Sequence, residues 1–319
     1  MRNKKIFFIS IIILLLCSLF FIRENKISSF NTELFSVTDT LSIDKIIISD
    51  RYDNEIELRR NNNQWIINDS YLVRNDAIKT LLSTLKNIRI KNLLSNDIEK
   101  NIEKQISSLG VGVIIYNNNK KINSFIVGPS TRDHLGTYIY HLKTNKTYST
   151  HIPGFNGFLS PSFGIQANRI EINNWRNPTL IDYKPNMIDS IYSYNFSNSA
   201  KSFKLICGKE NNIKNYQNET IKDINFGTLN LFLNSFANLN IEKYLNDSLK
   251  NNMSNPYKKL IIYSKSNIDS LVFYTLNSEQ DDDTKNYNIK RKIAIKNDED
   301  ICLVQDYVFN KVLINIDDF

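Results

Sequence analysis

The stretch Leu81-Leu82-Ser83-Thr84-Leu85-Lys86-Asn87-Ile88-Arg89-Ile90-Lys91-Asn92-Leu93 returns later as Phe232-Leu233-Asn234-Ser235-Phe236-Ala237-Asn238-Leu239-Asn240-Ile241-Glu242-Lys243-Tyr244. The apolar positions fall in register, and Asn87 lands on Asn238. A duplicated unit constrains the fold because each copy has to bury a similar apolar face. Two related cores are therefore expected, and 319 residues give length for both.

The similarity extends to both sides of this stretch. Ile43 to Ile48 corresponds to Ile188 to Ser193, and each is approached by an apolar pair, Leu34 and Phe35 or Leu180 and Ile181. Glu55 to Arg59 corresponds to Ser202 to Ile206. Polar turns follow at 61–63 and 210–212, and an aromatic closes each hairpin, Trp65 in one and Tyr216 in the other. Ile78, Leu81, Leu82, Leu85 and Ile88 recur at three- and four-residue spacing, which predicts an amphipathic helix capped by Asn75 or Asp76. Leu229, Phe232, Leu233, Phe236 and Leu239 repeat that stripe. Ile98, Ile102, Ile106 and Leu109 predict a further helix in the first copy alone, with Gly110 as its C-cap.

Strands are expected again at Val113–Tyr116, Ser124–Val127, Thr137–Leu142 and Thr147–Thr150. Their counterparts are Leu260–Tyr263, Val272–Thr275, Asn288–Ile295 and Ile301–Val308. The order of strands, helix, strands, joined by short polar turns, predicts an α+β fold with mostly antiparallel pairing. The expected units are 30–152 and 179–319. Pro153 to Pro178, with Gly154, Gly157, Pro161, Gly164 and Trp175, reads as an ordered connector between them. The heavy use of Asn reads as compositional bias, since Asn adds nothing to a core.

Residues 1–26 read as a short basic tip and a membrane anchor. Arg2, Lys4 and Lys5 precede an uncharged run from Ile6 to Ile22, and Arg23 closes it. That run is near the ~17-residue minimum for a spanning helix. The basic flank predicts a cytoplasmic N-terminus and an extracytoplasmic remainder. A cleaved signal peptide or lipidation at Cys17 are the alternatives, although the residues around Cys17 are large for either. Cys207 and Cys302 fall in predicted strands of the second copy, as small buried hydrophobes or as a disulfide in an oxidising compartment.

The formal net charge is +7, scattered as Lys beside Asp and Glu. No basic stripe interleaved with aromatics is present, which argues against nucleic-acid binding. No phosphate-cradling Gly loop, nucleophile elbow or zinc spacing occurs, so no cofactor or metal is expected. The loop Gly128 to Thr137 is the best candidate for chemistry. It offers Arg132, Asp133 and His134, and His151 follows nearby. Its counterpart, 277–286, holds Asp281, Asp282 and Asp283 without EF-hand spacing.

The ordered set of motifs resembles a family of bacterial membrane-anchored proteins that carry domain of unknown function 4340. The set runs from Phe35-Ser36-Val37-Thr38-Asp39-Thr40 through the Trp65 hairpin to Val127-Gly128-Pro129-Ser130-Thr131. It continues with Leu135-Gly136-Thr137-Tyr138, His151-Ile152-Pro153-Gly154-Phe155-Asn156-Gly157 and Trp175-Arg176, and ends on Gln305-Asp306-Tyr307-Val308-Phe309. The family has no established catalytic residues, so the resemblance assigns none. Some members lie beside genes for ABC-type exporters, which implies an accessory role by association. The expected function is therefore a membrane-anchored extracytoplasmic binding protein, auxiliary to an envelope or ABC-type transport complex. The alternative is an envelope hydrolase or small-ligand-binding enzyme that uses Arg132, Asp133, His134 and His151.

Overall fold

The computed structural model describes residues 31–253, 255–276 and 290–319. The expected anchor, Cys17 and the acidic loop 277–286 lie outside the described residues. Among the described residues, no helix is long and apolar enough to cross a membrane. The chain is α+β, every strand pairing is antiparallel, and it divides into two units between Arg176 and Asn177.

The first unit runs β1 (Lys45–Ser49), β2 (Glu55–Asn61), β3 (Gln64–Ile67), β4 (Tyr71–Leu72), α1 (Asn75–Asn87), β5 (Arg89–Leu93), α2 (Asn96–Leu109), β6 (Val111–Asn117), β7 (Lys120–Ser130), β8 (Thr137–His141) and β9 (Lys146–His151). These strands form one sheet in the order β4-β3-β2-β1-β6-β7-β8-β9-β5. A two-stranded ribbon follows, β10 (Ile165–Gln166) with β11 (Arg169–Ile170). Of residues 153–178, expected to join the units, those up to Arg176 fall in the first unit. Leu159, Phe163, Ile165, Ile170 and Trp175 belong to the first unit's core. The physical reason is area: one helix face cannot cover the broad inner face of this sheet, and the aromatic-rich stretch covers the rest.

The second unit runs β12 (Thr179–Ile181), β13 (Ile188–Asn195), β14 (Phe203–Ile206), β15 (Asn212–Asn215), α3 (Phe226–Asn234), β16 (Leu239–Asn240), β17 (Lys243–Tyr244), β18 (Pro256–Ser264), β19 (Ile268–Thr275), β20 (Arg291–Lys296), β21 (Asp300–Gln305) and α4 (Asp306–Phe309). Its sheet has the order β15-β14-β13-β18-β19-β20-β21-β17, the first unit's order without β4.

The duplication holds to the register. Ile46 pairs with Leu58 and Ile115, and Ile191 pairs with Leu205 and Ile262. Ile47 pairs with Glu57 and Ile114, and Tyr192 with Lys204 and Ile261. Hydrogen bonds outside the sheets repeat too: Ile90 N–H donates to Thr32 and Ile241 N–H to Pro178, both at 2.9–3.0 Å. One expected correspondence is slipped. Ser124, opposite Ile114, is matched by Ser270, opposite Ile261, and not by Val272. A slip of two preserves the face each side chain points to, so the apolar pattern alone does not reveal it.

Other local readings change in the structure. Tyr216 lies beyond β15 and is exposed; Ile213, opposite Leu205, is the counterpart of Ile67, opposite Leu58. Asp306 to Val308, expected as the end of a strand, fall in the helical turn Asp306–Phe309. Arg74, not Asn75 or Asp76, occupies the N-cap of α1 without a side-chain cap bond. The Asn content is more than bias. Positive-φ positions outside glycine are nearly all Asn or Asp, among them Asn62, Asn118, Asn119, Asn145 and Asn297 at hairpin turns. With only 9 glycines, Asn and Asp provide the left-handed turn conformations.

In the first unit α1 buries Ile78, Leu81 and Leu85 in the main core, where Phe35 meets Phe125, His141 and Tyr148 edge-on at 5.4–5.7 Å. Alternation along β7 turns Phe125 and Val127 to that core and Gly128 to α2 on the opposite face. Gly110 does cap α2, but in an extended conformation. Its use is close approach: a Cβ there would meet Ile106 O and Ile126 Cγ2 at 2.5 Å. Gly128 is equally tight, with Ile106 Cγ1 at 2.5 Å from the position of a Cβ. Ile106 therefore seats α2 between two glycines. In the second unit a short 3-10 segment, Asp247–Asn252, stands in place of α2. Beside it Leu245 and Met253 pack on Ile293, Ile295 and Ile301 at one end of the sheet.

Lys258 occupies the register position of Val111 and is fully buried. Its ammonium donates to the carbonyls of Leu313 (2.9 Å) and Ile314 and to Asn315 Oδ1 (3.2 Å). Burial pushes its pKa down to about 8. The side chain ties the C-terminal segment to the sheet.

Two stability measurements test this packing. Gly128→Ala should lower the urea-derived unfolding free energy by about 1–3 kcal/mol through overpacking. The same change should cost less in an Ile106→Ala background, where the clashing carbons are gone. Lys258→Met should cost about 1–3 kcal/mol by leaving buried carbonyls without a donor. Amide exchange at residues 313–316 should speed up selectively; uniform exchange would mean that the lysine does not hold this segment.

Candidate functional site

The expected 128–137 loop is narrower in the structure: β7 runs through Ser130 and β8 starts at Thr137, so 131–136 form a short, internally bonded turn. Thr131 N–H donates to Gly136 O and His134 N–H to Thr131 O, both at 2.9 Å. His134 takes the left-handed conformation, with φ of 55°. Gly136 is required by contact, because a Cβ would come within 2.5 Å of Thr150 O.

Asp133 is the hub of the loop. Its Oδ1 accepts from the Thr131 hydroxyl and from Leu135 N–H (3.0 Å), and its Oδ2 accepts from Lys91 Nζ at 2.9 Å. These bonds hold its carboxyl well below the usual carboxylate range. His134 Nδ1 lies 3.2 Å from Ser130 Oγ. Arg132 is exposed and has no hydrogen-bond or ion-pair partner among the described residues. His151 ends β9 opposite Arg89 on β5. Burial, then the Lys91 charge, pushes its pKa below the ordinary imidazole value.

The four expected site residues are thus only partly brought together. Lys91, which no local motif singles out, is bonded to Asp133, and its charge acts on His151. No hydrogen bond links any two of Arg132, Asp133, His134 and His151 among the described residues. The third histidine stands apart. His141 lies at the turn end of the β8–β9 hairpin, ~13 Å along the strand from Thr137 at ~3.3 Å per residue. It is buried against Phe35, its Nδ1 accepts from Thr144 N–H (3.2 Å), and burial lowers its pKa. Among the described residues no group of three or more His, Cys, Asp or Glu is placed to hold a metal. Cys207 is a free thiol that burial raises to about 11, far from nucleophilic, and the buried Cys302 has its Sγ 3.7 Å from Asp300 O.

A cleft of about 230 Å³ opens elsewhere in the first unit, where the start of α1 faces residues 161–175. Arg74, Asp76, Thr80, Ser162, Gln166 and Asn174 supply its polar lining. The Arg74 guanidinium grips Asp76 through Nε (2.8 Å) and Nη2 (2.6 Å), while Arg74 N–H donates to Trp175 O (2.8 Å). Arg176 stacks on Tyr71 at 3.7 Å. The Trp175 indole N–H is buried against Gly164, without a hydrogen-bond partner among the described residues. These residues are separated by about ninety positions in sequence, so no local motif signals the cleft.

The family model described as "Domain of unknown function (DUF4340)" matches residues 65–258. The chain belongs to the DUF4340 family. The matched range covers the Arg74–Trp175 cleft, the 128–137 loop and the start of the second sheet through Lys258, so the family resemblance read from the motifs is correct. No curated protein and no solved structure matches this DUF4340 chain.

The Lys91 charge gives a titration test. His151 should titrate below about 6.5, the free imidazole value, when followed by NMR. In Lys91→Ala the midpoint should move up. A group with a depressed folded pKa binds less proton when folded than when unfolded. Its contribution to stability is therefore present above the unfolded value and lost as pH falls through the folded one. A midpoint that ignores Lys91 would show that the two side chains do not interact.

Proposed function

We propose that the chain is a membrane-anchored extracytoplasmic binding protein, accessory to a larger envelope assembly such as an ABC-type transport complex. The observation that carries this reading is the state of the 128–137 loop. Asp133 is committed to Thr131, Leu135 and Lys91, and His134 is bonded to Ser130. A general acid or base has to reach a substrate proton, and these groups instead brace the turn. A rigid loop that presents Arg132 to solvent suits recognition better than turnover. The basic tip and the uncharged Ile6–Ile22 run support the anchor and the export of the remainder. The association of some family members with exporter genes supports the accessory role.

The second reading, a small-ligand-binding protein or envelope hydrolase, has one observation in its favour: Arg132 is exposed and, among the described residues, unpaired, next in sequence to the Asp133 that Lys91 holds. On that reading Asp133→Ala and His134→Ala would abolish ligand binding or activity without lowering the melting temperature.

The test uses the full chain with a C-terminal tag at native expression. The chain should stay in carbonate-washed membranes, and protease added to spheroplasts should remove the tag. Mild-detergent extracts should give a stable complex with a defined partner. A clean monomer, or a tag that resists protease in intact spheroplasts, overturns the reading.

A further inference from the structure

The outer face of the second sheet carries a pattern that neither core needs. Its rows follow from the register. One row is Lys214, Lys204, Tyr192, Ile261, Ser270 across β15, β14, β13, β18 and β19. The row on one side is Asn212, Ile206, Ser190, Tyr263, Ile268, and the row on the other begins Tyr194, Lys259, Val272. Tyr192, Tyr194, Ile206 and Tyr263 are 36–39% exposed, which is high for sheet residues, and Phe196 stacks edge-on with Tyr194 at 5.0 Å.

The charges on this face are of one sign. The rows hold three lysines and no carboxylate; Asp189 lies at the bulge that opens β13. Lys204, Lys214 and Lys259 have no ion-pair partner among the described residues, and Lys204 stands directly across from Lys214. Like charges opposite each other on neighbouring strands are destabilising, so this pair does not serve the fold. The first unit treats the same positions differently. Glu57, the register equivalent of Lys204, pairs there with Lys45 and Arg59. Helix α2 covers the β7–β8–β9 end of that face in the first unit, and Leu245 and Met253, which flank the 3-10 segment, cover the equivalent end in the second, so the lysine rows lie beside a covered end of the sheet.

We propose that this face of the second unit docks on anionic lipid headgroups. This rests on the reading that the chain is held at a membrane. Tyr and Lys are the side chains suited to a lipid–water boundary, each with an apolar body and a polar tip. The choice of occupant rests on charge: lysine tips without carboxylate partners, set among tyrosine rings, complement an anionic headgroup layer. A second copy of the same face would meet it with like charge. A tether to the same bilayer keeps the effective lipid concentration high, so a shallow interface suffices.

The test is lysine footprinting of the wild-type full chain in nanodiscs, with an acylating reagent and mass spectrometry. Discs of neutral phosphatidylcholine are compared with discs containing about a third phosphatidylglycerol, and Lys204, Lys214 and Lys259 should react about threefold more slowly in the anionic discs. Exposed Lys209 and Lys222 serve as controls and should not change. The protection should vanish at about 1 M salt, where the screening length is ~3 Å. Equal reactivity in both discs, or equal protection in both, overturns the proposal. Protection found only in native membranes with a bound protein overturns it in favour of an acidic protein partner. A chain that leaves the discs altogether sinks the membrane reading itself, and the docking proposal with it.

Discussion

The architecture depends on one pairing made twice. A strand from the start of each unit is held between its own hairpin partner and a strand that arrives after the helix. In the first unit this is β1 between β2 and β6, in the second β13 between β14 and β18. The pairing is long-range, and its register determines which side chains turn inward. Ile46, Ile48, Leu58, Val113 and Ile115 face one core, and Ile191, Leu205, Leu260 and Ile262 face the other. A slip of one residue would expose each set. The placement of α1 and α3 follows, because each needs that apolar face to pack against.

With the pairing held constant, divergence falls on positions the register leaves free. Inside the second unit Lys258 replaces Val111 and finds its acceptors in the C-terminal segment. Such a charge is tolerable because it is surrounded by oxygens. Outside, Glu57 becomes Lys204 and Ile47 becomes Tyr192, and a short 3-10 segment replaces the helix that packs on the first sheet. The two sheets therefore share an inner face and differ in their outer one. That difference is a better guide to function than the similarity.

The 128–137 loop shows how far residue types can mislead. Arg132, Asp133, His134 and His151 look like a reactive set because Asp and His do so much chemistry elsewhere. In the folded loop their hydrogen bonds are local: Asp133 closes the turn onto Thr131 and Leu135, and Lys91 arrives from a strand distant in sequence. The loop itself was legible from Gly128, Pro129 and Gly136. Its partner was not, since nothing in the composition of β5 singles out Lys91. The Arg74–Trp175 cleft was less visible still, because its walls come from two segments that only the packed core brings together.

By itself the sequence determined the α+β class, the duplication, the amphipathic helices and most strands, because these follow from periodicity and turn chemistry within short windows. It also carried enough ordered motifs to point to the DUF4340 family. Only the tertiary structure decided that residues 159–175 complete the first core, that Gly110 and Gly128 make room for Ile106, and that Lys258 is buried. Only the tertiary structure lined up Lys204, Lys214 and Lys259 among exposed tyrosines. The reason is common to all of these. Each depends on a neighbour far away in the chain, and no local pattern encodes the identity of a distant neighbour.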